Sequence, residues 1–301
     1  MKIFHSDKYF AEINSIMPIE KFGLVRDSIE KYAEKNEIPV EIAEPKPASM
    51  DDLLEVHSKD YVDAVFKGIM PLAGSNGFKW TSHLPISVSY TNGGCIEAAR
   101  EALENKVSAN LASGFHHAAK DYGNGFCTFN GLAVAIMKMI KEKRIEKAFV
   151  LDADAHYGNG TARIFENNPN VFTYSICGSA WDLIKDNEHS IKREMPYAKP
   201  KPYLHQLEKD LELIDGFKPD LLIYQAGADP YKLDALGYMH LDIDDFNQRD
   251  AMIFKKAKEL NIPIMWVLAG GYPKHDNPVD NIVKIHTNTF ITAHEIFEKS
   301  A

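Results

Sequence analysis

Four short segments of the sequence carry residue types that perform hydrolytic chemistry. Ser113-Gly114-Phe115-His116-His117 offers two adjacent imidazoles. The stretch from Asp152 to Gly160 sets Asp152, Asp154 and His156 at alternate positions, followed by Tyr157, Gly158 and Asn159. Gly227-Ala228-Asp229-Pro230 adds a further carboxylate, and Gly270-Gly271-Tyr272 a phenol behind two glycines. In extended chain, side chains two positions apart point to the same side, so Asp154 and His156 can grip one divalent ion together. Asp229 supplies a third ligand from another segment. Two Asp and one His with an open coordination position suit a catalytic zinc. Taken singly, Asp154 reads equally well as the cap of a turn and His156 as a core histidine. Their company of Asp152, His116, His117 and Asp229 decides for a metal site.

An imidazole of near-neutral pKa can take a proton from an attacking water, which is the chemistry His116 and His117 offer beside a metal. The other ring nitrogen then needs an orienting acceptor, and Asp152 and Asn159 flank the ligands. Two glycines let the chain turn sharply before Tyr272, whose phenol can donate a hydrogen bond to a carbonyl oxygen gaining negative charge. Phe126, within Gly123-Asn124-Gly125-Phe126-Cys127, is a candidate wall for a narrow apolar channel. Cys127 reads as a small buried hydrophobe, since no base is assigned to it.

The elements that must position these groups are legible as apolar runs at 108–112, 148–153, 171–176, 221–226 and 264–269. Helical spacing fills 93–105, 131–142, 203–215 and 244–260 between and around them. Asp244 is the expected N-cap of the last of these. Asp276-Asn277-Pro278 is expected to open a C-terminal helix, with the proline in its first turn. Continuous apolar strands alternating with amphipathic helices predict a parallel sheet covered on both faces. Ligands bind such sheets beyond the carboxyl ends of the strands, which is where all four chemical segments fall.

The chain has 301 residues, with 34 basic and 43 acidic side chains and a formal charge of −9. That composition excludes intrinsic disorder and makes a poor generic nucleic-acid binder. The three cysteines, Cys95, Cys127 and Cys177, are too widely spaced to suggest a disulfide framework or a Cys-x-x-Cys metal site. No run of about 18 apolar residues is present to span a membrane, and the opening MKIFHSDKYF lacks the apolar centre of a signal peptide. A cytoplasmic protein is the resulting expectation. The stretch PYAKPKP at 196–202 reads as a surface loop, because the motifs on either side of it belong to one site. The charge run KEKRIEK at 141–147 reads as a solvated helix end. One domain spanning 1–301 is expected, and oligomerisation is left open.

The ordered set GFHHA, NGFCTFN, DADAHYGNGT, GADP and AGGY resembles the zinc-dependent histone deacetylase and acetylpolyamine amidohydrolase superfamily, with weaker similarity at 56–65 (VHSKDYVDAV). The resemblance implies a single α/β domain, related to arginase, built on a mainly parallel eight-stranded sheet with helices on both faces. It implies zinc on Asp154, His156 and Asp229, His117 as general base, and His116 as its electrostatic partner bonded to Asp152. Tyr272 is implied as the transition-state donor, and Gly125 and Phe126 as part of the acyl channel. A structural potassium ion is implied on the carbonyls of Asp152, Asp154, His156 and Ile176 with the Ser175 hydroxyl. Two features depart from the family pattern. The loop 74–82 (GSNGFKWTS) has no acidic residue where many lysine deacetylases orient the substrate backbone, and the second channel wall has only Trp181 as a candidate.

The expected activity is removal of an acetyl or longer acyl group from a lysine side chain of a protein or peptide, with no nucleic-acid or membrane partner. The alternative is an acetylpolyamine or other small-amide substrate at the same zinc site. An arginase-like pair of manganese ions is disfavoured, because Tyr157, Gly158 and Asn159 follow His156 without a carboxylate and GADP brings one Asp. A non-catalytic relative would be expected to lose at least one of Asp154, His156, Asp229, His117 and Tyr272.

Overall fold

The computed structural model describes residues 1–10, 16–180, 182, 184–275 and 278–298. Eight strands form one sheet: β1 (Lys2–Phe4), β2 (Glu41–Ala43), β3 (Val107–Ser113), β4 (Ala148–Asp152), β5 (Val171–Cys177), β6 (Ser190–Glu194), β7 (Leu221–Ala226) and β8 (Ile264–Leu268). Their order across the sheet is β2-β1-β3-β8-β7-β4-β5-β6, and every pairing is parallel. Every residue of β3, β4, β5, β7 and β8 is buried. That burial requires cover on both faces, as the unbroken apolar runs demand.

The helices are α1 (Lys21–Lys35), α2 (Met50–Leu54), α3 (Lys59–Lys67), α4 (Leu84–Asn105), α5 (Gly131–Lys141), α6 (Asn159–Phe165), α7 (Pro200–Asp210), α8 (Glu212–Phe217), α9 (Ile243–Glu259) and α10 (Val279–Phe297). One group packs α4 against α5 and β3; another packs α10 against α9 and α1, with α7 beside α9. The core runs from Ile3 to Ala293 through both groups.

Several boundaries differ from the sequence expectation. The cap of α9 is Asp242 rather than Asp244. Its Oδ1 accepts from Ile243 N at 2.9 Å, while Asp245 Oδ2 accepts from Asp242 N at 2.7 Å. This reciprocal box places Asp244 and Asp245 inside the first turn. Pro278 is itself the N-cap of α10; Asp276 and Asn277 lie outside the described residues. The stretch 203–215 is two helices, α7 and α8, and the first three residues of α7 (Pro200–Pro202) take the end of the expected 196–202 loop. The run 141–147 is exposed except at Ile145, just past the end of α5. The strands β1, β2 and β6 carry no continuous apolar run: β1 and β2 are three residues long, and β2 and β6, at the two edges, stay partly exposed.

Candidate active site

The four segments that carry the chemistry follow β3, β8, β7 and β4, which are consecutive neighbours in the sheet. Because all run parallel, their carboxyl ends lie on one edge. His116 and His117 follow β3, Asp152 closes β4 with Asp154 and His156 beyond it, Asp229 follows β7, and Tyr272 follows β8.

Asp154, His156 and Asp229 are buried, and one ligand atom from each lies within 4.8 Å of the others. His156 Nδ1 sits 2.8 Å from Asp229 Oδ2 and 3.2 Å from Asp154 Oδ1. Neighbouring backbone amides fix both carboxylates. Gly270 N donates to Asp154 Oδ2 at 2.6 Å, His156 N to Asp154 Oδ1 at 3.0 Å, and Ala155 N to Asp229 Oδ1 at 2.8 Å. A Cβ on Gly270 would come within 2.2 Å of Asp229 Oδ2, so the approach that makes these bonds requires glycine there.

Burial, then the charge of Asp154, pushes the Asp229 carboxyl up to about 7. Burial opposes a charged His156, yet the two carboxylates outweigh it and raise the imidazole to about 11. Among the described residues no Lys or Arg makes an ion pair with either carboxylate. Two buried acids sharing one imidazole call for a cation. Mixed carboxylate and imidazole donors fit a zinc-like divalent ion.

The two adjacent histidines stand with ring centroids 4.0 Å apart but have different anchors. His116 Nδ1 donates to Asp152 Oδ2 at 2.6 Å. His117 Nδ1 donates to the amide oxygen of Asn159 at 2.8 Å. Asn159 is oriented in turn by donating through Nδ2 to Asp182 Oδ2 at 3.0 Å, a carboxylate also bound by Arg163. The charges follow the partners. Burial works against a protonated His116, but Asp152 and Asp154 prevail and raise its pKa. Burial, and then the charge of His116, hold His117 well below its ordinary value. His117 is therefore the neutral member of the pair, with its lone pair on Nε2.

Tyr272 is 8% exposed, and its ring lies 6.1 Å from those of His156 and of Phe126. Phe126 stacks on Phe78 at 5.6 Å, and its backbone N donates to Asn76 O, so the 74–82 loop braces this wall. Gly125 adopts φ +51°, and a Cβ there would meet His117 Cδ2 at 2.5 Å. Cys127 is buried, which pushes its thiol up. Trp181 lies outside the described residues. Of the residues expected around potassium, Asp152, Ser175 and Ile176 lie side by side on β4 and β5. Asp152 pairs with Ser175 in register, Ile176 is next on β5, and Ser175 Oγ accepts from Gly158 N at 3.3 Å.

Three buried residues at the site escaped the sequence reading. Lys21 Nζ donates to Ala269 O at 2.5 Å and lies 3.5 Å from Gly271 O. Burial lowers this ammonium to about 8 against the pull of Asp229, Asp154 and Asp234. Asp234 accepts from Tyr272 N at 2.7 Å, Leu236 N at 2.8 Å and Gly237 N at 3.0 Å, which sets the backbone of the tyrosine. Arg249 lies beneath the strand ends with no exposure. A signal existed for two of them: Lys21 falls in the buried stripe of α1 with Val25 and Ile29, and Arg249 in that of α9 with Phe246 and Ile253. A cation within an apolar helical stripe announces a buried partner.

Comparison with known proteins agrees with this architecture. The model of the histone deacetylase domain matches residues 15–290. Histone deacetylase 2 of Arabidopsis thaliana is 31% identical over 246 residues, 77% of this chain and 64% of that protein. A probable deacetylase of Methanothermobacter thermautotrophicus is 30% identical over 296 residues, 90% of this chain and 86% of that protein. The solved HD domain of HDA15 superposes with a TM-score of 0.81 at 18% identity, covering 99% of this chain and 96% of that one, which speaks to the fold. The chain belongs to the histone deacetylase domain family.

Proposed function

We propose that this chain is a zinc-dependent amidohydrolase that removes an acetyl or longer acyl group from a lysine side chain, working as one catalytic domain in the cytoplasm. The observation that carries the reading is the buried Asp154–His156–Asp229 cluster beside two histidines with different anchors and the Tyr272 phenol. Zinc held by those three residues supplies Lewis acidity toward the amide carbonyl and the attacking water. His117, kept neutral and oriented by Asn159, takes the proton from that water through Nε2. His116, charged through Asp152, adds positive potential beside the developing oxyanion. Burial raises the Tyr272 phenol well above its ordinary value, so it stays protonated and donates to that oxygen. A protonated histidine then gives its proton to the leaving amine as the C–N bond breaks, yielding a carboxylate and a free amine. Gly125 and Phe126 line the acyl passage. The oxygen donors of Asp152, Asp154, His156, Ser175 and Ile176 suit a structural potassium ion.

One observation favours a second reading, an acetylpolyamine or other small amide: the loop 74–82, which braces Phe126, has no acidic side chain to hold a peptide backbone. Rates on acetyl-lysine peptides, longer acyl-lysine peptides and acetylpolyamines, measured side by side, test the choice. The proposal expects the highest kcat/KM on an acyl-lysine peptide. A clear preference for acetylpolyamines selects the second reading, and no turnover of any amide refutes both.

A further inference from the structure

We infer that Arg249 is a positioning residue for the metal centre, setting the distance between the two strand ends that bring the ligand carboxylates together. This rests on the reading that Asp154, His156 and Asp229 hold zinc. Arg249 projects from α9 and is fully buried. Its Nη1 donates to Gly227 O at 2.7 Å and reaches Ala153 O at 3.4 Å. Ala153 immediately precedes Asp154, and Gly227 stands two residues before Asp229, so one nitrogen addresses the backbone behind ligands from both β4 and β7.

The guanidinium is itself held. Nε donates to Asp250 Oδ1 at 2.9 Å. The Tyr224 hydroxyl donates to the same oxygen at 2.6 Å, and the Thr289 hydroxyl donates to Asp250 Oδ2 at 2.6 Å. The Phe246 ring covers the guanidinium carbon at 4.6 Å. Anchors on β7, α9 and α10 thus fix one planar fork. A buried ion pair is a weak source of stability, since apolar residues of similar volume often serve as well. What this pair offers that an apolar pair does not is a rigid donor to both carbonyls. Lysine, with a mobile point charge, cannot hold Asp250 and both carbonyls in one geometry.

The experiment measures zinc affinity of the full chain by chelator competition on stripped, folded protein. It compares wild type, Arg249→Lys, Thr289→Val and the control Ile29→Val, a core change about two turns along α1 from Lys21. Groups that orient metal ligands indirectly typically change affinity by about 10–100-fold. We expect Arg249→Lys to weaken zinc binding by about tenfold or more and Thr289→Val to weaken it less, in the same direction. Ile29→Val is expected to lower the melting temperature without changing zinc affinity. Wild-type zinc affinity retained in Arg249→Lys overturns the inference alone. Should Arg249→Lys not fold, unchanged affinity in Thr289→Val overturns it. A wild type that binds no zinc overturns the functional reading and this inference together.

Discussion

The adjacent histidines show how much of this site is decided by single partners. Asn159 offers His117 a neutral acceptor, while Asp152 offers His116 a charge. His117→Ala is expected to lower kcat by about 10²–10⁴-fold, the usual contribution of a positioned base, and His116→Ala by less; the reverse order in turnover would reverse the assignment. In the proposed mechanism His117 acts in its neutral form, and burial lowers its pKa from 6.5. Activity is therefore retained as pH falls to 6.5, and the acid limb of kcat/KM lies below that value. An acid limb centred above pH 7 argues for a different base. Tyr272→Phe keeps the ring and removes the donor. It should leave zinc content and KM near wild type while kcat falls by about 10²–10³-fold; a near-normal kcat would remove the phenol from the mechanism. The buried cluster of Asp154, His156 and Asp229, with both histidines and Tyr272 beside it, was legible in the sequence because each residue sits in a short polar or glycine-bearing segment after an apolar run. Lys21 left only the signal of a cation in an apolar stripe, because its partner Ala269 is 248 positions away; Asp234 left none, because its bond to Tyr272 N spans 38 positions.

At the scale of elements, the central strands announced themselves because both of their faces are buried, which forces unbroken apolar runs. The edge strands β2 and β6 and the short β1 lack that constraint and left no pattern. Helix starts misled for a related reason: Asp242, Asp244 and Asp245 are all competent caps by type, and only the reciprocal bonds of Asp242 and Asp245 select among them. Asp242→Ala should cost about 1 kcal/mol of stability, the typical worth of such a cap, with kcat unaffected because α9 addresses the site further along, at Arg249. Denaturant unfolding and turnover on the same sample check this. Stability unchanged from wild type would mean that Asp245 and the helix start manage without the box.

For the molecule as a whole, the parallel sheet is what assembles the chemistry. Four neighbouring strands end on one edge, so residues from His116 to Tyr272 meet although β4 to β8 and α5 to α9 lie between them in the chain. No helix among the described residues is long and apolar enough to cross a membrane. The net charge of −9 leaves little general attraction for nucleic acid. That order across the sheet was beyond reach of the sequence, since the apolar runs show which segments are strands but not which are neighbours. The central claim is that one divalent ion, held by Asp154, His156 and Asp229, makes this chain an amide hydrolase. The most direct measurement is a titration of stripped protein with zinc while hydrolysis of an acetyl-lysine peptide is followed. The account predicts negligible turnover without metal and a rise that saturates at one zinc per chain. Saturation only at two metals per chain, or full activity in the stripped protein, would contradict it.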